Sequence, residues 1–165
     1  MKRIFFLVSL VILTGMTAFA DTRSATMQVR ATLLPTVTVS TTNLNFGTWV
    51  IGQSQVFATA TVSVQATAGT PYAITMNAGQ HFDGVYRNVA NGLFNVPFVI
   101  FDPTDTFLWG DAGYGGTYIS GAAVIGTGTG SPQTFTANGQ LYAFAASAFS
   151  PIGAYSDSVT VTVNY

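Results

Sequence analysis

The residues with the widest chemical repertoire are few. The only histidine, His81, sits in GQHFDG (79–84), two positions from Asp83. A metal site usually takes three or four ligands at set spacings, and a hydrolytic triad needs a placed nucleophile as well; neither arrangement surrounds His81, which reads as a polar loop residue. Asp102, Asp105 and Asp111 flank PTDTFLWG (103–110). They invite carboxylate or calcium chemistry, but their spacing does not follow the Asp-x-Asp-x-Asp loop rule, and turn formation explains them more simply. GTGTG (126–130) lacks the lysine and following helix of a phosphate-binding loop. Phe98, Phe101, Phe107, Trp109, Tyr142 and Phe144 could make a carbohydrate platform, although aromatics inside strand runs more often fill a core. The expectation is no catalytic residue, no metal, no cofactor and no enzyme.

The elements that must carry these residues are strands. Runs rich in Val, Thr, Phe and Tyr recur between Gly, Asn, Pro and Ser: VFATATVSVQA (56–66), YAITMNA (72–78), NVPFVIF (95–101), QLYAFAA (140–146) and SDSVTVTVNY (156–165). In the first, Val56, Ala58, Ala60, Val62, Val64 and Ala66 share one face, as an antiparallel sheet with one side on a core requires. Residues 111–134 are glycine-rich and weakly periodic, and read mostly as loop, with a pair of short strands as the other option. No helical period competes. The fold class is all-β, an antiparallel sandwich.

Composition narrows the function classes. Lys2 and Arg3 precede the apolar stretch IFFLVSLVILTGMTAFA, which closes on Ala18-Phe19-Ala20, the pattern of a secretory signal cleaved before Asp21. The remaining 145 residues carry three arginines against six aspartates, a net charge of −3; nucleic-acid binding would need a basic stripe that is missing. Only 7% of residues are charged and 48% are hydrophobic, so the surface is unusually adhesive for a free monomer. There is no cysteine, although export leads to a compartment where disulfides persist. Packing and partners must supply the stability.

Both ends of the exported chain are strand-like. Ala25, Met27, Val29, Ala31 and Leu33 alternate with Thr26, Gln28, Arg30 and Thr32, and after Leu34-Pro35 the same phase resumes at Val37 and Val39. Proline cannot donate to a ladder, so two strands in series are expected. At the other end Val159, Val161, Val163 and Tyr165 share a face, and no residue follows in this sequence to continue the sheet. An open apolar edge invites a strand from another chain. The segment 25–33 would span about 30 Å at about 3.3 Å per residue, enough to run beside the whole final strand.

NLNFGTW (43–49), WGD (109–111) and GAYSDSVTVTVNY (153–165) together resemble the spore coat protein U domain, which is shared with subunits of archaic chaperone-usher pili. The family motif maps onto Phe46, Gly47, Trp109, Gly110, Asp111, Gly153, Tyr155 and Asp157. Members usually carry a cysteine pair, for which Pro35–Thr38 and Ala66–Gly69 offer no residue here. The resemblance implies an incomplete immunoglobulin-like sandwich completed by a donor strand, made of a signal (1–20), a donor segment (21–34) and a pilin-like domain (35–165). It implies a periplasmic chaperone, an outer-membrane usher and other subunits as partners. The chain is then expected to travel through the periplasm to a surface pilus or fimbria, in support of adhesion or biofilm formation. The alternatives are a self-contained secreted carbohydrate-binding module and a spore coat component.

Overall fold

A computed structural model describes residues 21–165; the expected export signal lies outside the described residues. Contacts divide the chain after Leu33. Ahead of that point, residues 21–33 carry no strand and are exposed throughout.

From Leu34 onward the fold is all-β. The strands are β1 (Val37–Thr41), β2 (Val56–Ala66), β3 (Pro71–Met76), β4 (Arg87–Asn91), β5 (Phe94–Phe101), β6 (Val124–Thr127), β7 (Gln133–Leu141) and β8 (Val161–Asn164). They form a five-stranded sheet in the order β1-β2-β7-β5-β4 and a three-stranded sheet in the order β6-β3-β8, every ladder antiparallel. This is an immunoglobulin-like sandwich. β2 shows why: its alternation buries Ala60, Val62, Val64 and Ala66 while Phe57, Thr59 and Gln65 face out, the half-buried pattern of a sheet packed on one side. These side chains meet Tyr72, Ile74 and Met76 of β3 and Val96, Phe98 and Ile100 of β5 in one core, with Trp109 at its centre and fully buried.

Three stretches depart from the sequence reading. QLYAFAA is not a strand throughout: β7 ends at Leu141, and Ala143–Ala145 form a 3-10 turn. Tyr142 N–H still reaches Pro97 O of β5, but proline has no N–H to return and Ala145 N–H closes back on Tyr142 O, so the ladder stops. The glycine-rich stretch yields the short strand β6 and the start of β7. Its glycines mask the strand period because Tyr72 passes over Gly126, where a Cβ would come within 2.4 Å of the ring. β4 escapes the reading because its first residues, Arg87 and Asn88, are polar yet buried. It turns into β5 through Gly92-Leu93, with Gly92 at φ 62°, where a two-residue hairpin turn takes glycine.

Candidate functional site

A groove of about 740 Å³ lies between the two sheets, open along one side. One wall is the end of β1 and the chain that follows it, Thr41 to Trp49; the other is Gly153 to Val161, leading into β8. Its floor is the sandwich core itself, including Val62, Met76, Phe98 and Leu141. β8 pairs with β3 through Ala73↔Asn164 to Met76↔Val161, and among the described residues no strand pairs with its other edge. β1 is likewise the edge of its sheet, bonded only to β2.

The walls are held by local chemistry. On the first, Asn45 Oδ1 accepts the Gly47 N–H at 2.8 Å and Gly47 turns at φ 67°. That turn sets Phe46 edge-on to Phe98, with ring centroids 6.0 Å apart. Leu44 reaches the floor because Gly139 of β7 has no side chain; a Cβ there would stand 2.7 Å from Leu44 Cδ2. On the second wall, Tyr155 packs edge-on to Trp49 at 5.6 Å and donates its hydroxyl to Pro151 O at 2.9 Å. Asp157 Oδ1 accepts the N–H groups of Gln80 and His81 at 3.0 and 3.1 Å and meets His81 Nδ1 at 2.9 Å. His81 therefore works as part of a clamp on the wall. Gly79 leaves room for that carboxylate, since a Cβ there would lie 2.1 Å from Asp157 Oδ2.

The expected acceptor residues fall on this groove in part. Val159 and Val161 line it and Val163 does not, although all three are half-buried and pack on the core. Tyr165 does not join them: β8 ends at Asn164, and Tyr165, with no ladder to hold it, is 67% exposed. The expected donor residues Ala25, Met27, Val29, Ala31 and Leu33 lie in the strandless segment, with Met27 and Val29 each 84% and Leu33 87% exposed. An isolated alternating segment without a partner strand has no ladder to form.

Phe46, Gly47, Gly153, Tyr155 and Asp157 line the groove, whereas Trp109, Gly110 and Asp111 do not. The latter three brace the core. Trp109 Nε1 donates to Ile74 O at 2.8 Å, and Asp111 accepts the Thr117 and Tyr118 N–H groups at 3.0 and 2.6 Å. Gly110 backs onto Gly121. Beside them Arg87 is fully buried and donates to Asn77 O, Met76 O and Trp109 O at 2.8 to 3.0 Å, its guanidinium lying 3.9 Å over the Tyr118 ring. Burial pushes Arg87 down to about 10, partly countered by Tyr118, Asp111 and Asp157. Sequence reasoning missed this residue, whose signal was an isolated arginine at the head of a strand.

The remaining candidates are dispersed. Asp102 caps its own loop, accepting from Thr104, Thr106 and Phe107 N–H and from the Thr104 hydroxyl. Burial pushes its carboxyl up, but those hydrogen bonds together outweigh burial and hold it down at about 2. Asp105 stands in the same loop. Among the described residues no three His, Cys, Asp or Glu side chains are grouped to hold a metal. Of the candidate platform, Phe98 and Trp109 are core, while Phe107 and Phe144 are 37% and 63% exposed.

The chain is thus an antiparallel two-sheet sandwich with an open groove between the edge strands β1 and β8. The Spore Coat Protein U domain model matches residues 23–162, and the chain belongs to that family. The fold is also that of a chain in the CsuC-CsuE chaperone-tip adhesion subunit pre-assembly complex from the archaic chaperone-usher Csu pili of Acinetobacter baumannii. The two share 21% sequence identity at a TM-score of 0.53, over 81% of this chain and 40% of that one. No curated protein sequence matches.

Proposed function

We propose that the chain is a structural subunit of a secreted or surface fibre, polymerised by donor-strand exchange after chaperone-usher secretion. The observation that carries this reading is the groove: half-buried Val159 and Val161 and an open core lie between two unpaired sheet edges. An inserted strand would satisfy the free N–H and C=O groups of β8 and cover the floor at once. Residues 21–34 are the donor, and Ala25, Met27, Val29, Ala31 and Leu33 are its inward face. Met27, Val29 and Leu33 would each contribute about 1.5 to 3 kcal/mol on burial. Head-to-tail donation does not close on itself, so the product is an open filament. A periplasmic chaperone fills the groove before assembly, an outer-membrane usher passes the subunit outward, and the fibre serves adhesion or biofilm formation at the cell surface.

Deletion of residues 21–34 tests this. The truncated chain is expected to accept a synthetic peptide of residues 21–34 but to form no polymer by itself. Normal polymerisation of the truncated chain would overturn the reading.

A further inference from the structure

A second concavity, about 280 Å³, lies on the outer face of the five-stranded sheet, opposite the groove. It is built across three neighbouring strands: Phe57 and Thr59 of β2, Gln140 and Asn138 of β7, and Phe101 of β5, with Asp105 beside it. Phe57 is 70% exposed, which the sandwich core does not explain. Two strand spacings across and two residues along the strands separate Phe57 from Phe101, so the two phenylalanines rise about 12 Å apart from a polar floor.

The polar groups are largely unspent. Asn138 Nδ2 donates to Asp102 O at 3.0 Å, which leaves its Oδ1 free. The Asp105 carboxylate, the Gln140 amide and the Thr59 hydroxyl have no hydrogen-bond partner among the described residues. Asp105 is also the only non-glycine described residue with a left-handed backbone, at φ 57°. The conformation belongs to the turn that the Asp105 N–H closes on Asp102 O at 3.0 Å, and it leaves Asp105 among the residues that line the pocket.

We propose that this pocket binds a neutral saccharide through a single sugar ring. Pyranose rings offer apolar C–H faces to aromatic walls and hydroxyls to amides and a carboxylate, and both kinds of group are present. The sole charge is negative and no cation is near, which disfavours acidic sugars. The floor is formed by central strands whose backbone is already paired, so an extended peptide would gain no ladder here. The volume lies just below the range of about 300 to 1,000 Å³ usual for small-molecule sites, room for one ring and not for a buried chain. The site is independent of the groove and goes beyond the fibre reading.

The test is saturation-transfer NMR on the full chain in whatever assembly it adopts, with the methyl glycosides of glucose, mannose, galactose and N-acetylglucosamine as probes. At least one is expected to receive saturation. Phe57→Ala should weaken its affinity about tenfold, the loss of one aromatic contact, and Phe57→Trp should retain it. Asp105→Asn keeps a residue tolerant of the left-handed turn and should weaken binding several-fold without disturbing the fold. A denaturation midpoint and circular dichroism spectrum of Phe57→Ala equal to the parent's report folding without reference to assembly, so failure of this site is distinguished from failure of the fibre reading, which the 21–34 deletion tests. The proposal is overturned if none of the four glycosides receives saturation, or if binding is the same in the Phe57→Ala and Asp105→Asn variants as in the parent.

Discussion

Changing Val29 to Asp separates donation from every other property of the subunit. Val29 is 84% exposed in its own chain, so the substitution should leave the sandwich's own stability unchanged. In a neighbour's groove the same side chain would be enclosed by core residues. Losing a buried valine costs about 1.5 to 3 kcal/mol. An aspartate there must also shed its charge, and protonating a carboxyl of ordinary pKa near 3.9 at pH 7 costs about 4 kcal/mol. The two together weaken the joint by roughly 6 kcal/mol, about four orders of magnitude in the exchange equilibrium. Thr32, on the opposite face of the donor, is the control: Thr32→Asp keeps its charge in solvent and should assemble as the parent does. Electrophoresis without boiling reads the outcome, since strand-exchanged polymers give a ladder that heat collapses. The reasoning fails if Val29→Asp ladders like the parent, or if Thr32→Asp is as damaging.

Other consequences concern the scaffold of the groove. Arg87→Met strands the carbonyls of Asn77, Met76 and Trp109, each at about 1 to 3 kcal/mol. The relief from no longer burying a cation offsets only part of this, because the acceptors are backbone and cannot be replaced along with it. An unfolding free energy lowered by several kcal/mol is expected from denaturant titration, and an unchanged value would contradict it. The carboxyl of Asp102 is held at about 2 in the fold against about 3.9 when unfolded. Its contribution is therefore full above pH 4 and is lost as pH falls through about 2. The stability gap between the parent and Asp102→Asn, measured by denaturant titration, should close over that window and should be constant above pH 5.

Strands with clean two-residue alternation were legible in the sequence, β2 above all, because side-chain burial alone set their pattern. Where other forces act, the pattern was hidden. β4 opens on a buried arginine and asparagine that spend their hydrogen bonds on neighbouring backbone, and β6 carries a glycine that only the ring of Tyr72 explains. Phe46, Tyr155, Asp157 and the terminal valines could be singled out as a set, but not their convergence on one groove, since that depends on how β1 and β8 terminate two different sheets. Leu44 and Trp49 lie in NLNFGTW without being singled out from it, and Gly139 offered only the signal of a glycine inside a strand, which often marks a close approach. The pairing of Phe57 with Asp105 is likewise a product of sheet order, bringing together residues 48 positions apart.

The most direct examination of the central claim is a photo-crosslink from the donor. A photoactivatable benzoylphenylalanine at position 29, in polymers grown from a mixture of isotope-labelled and unlabelled chains, should attach to groove residues such as Phe46, Trp49, Tyr155 or Val159 of a different copy. Mass spectrometry distinguishes the copies by label. Crosslinks confined to the same chain, or reaching surfaces away from the groove, would contradict donor-strand assembly.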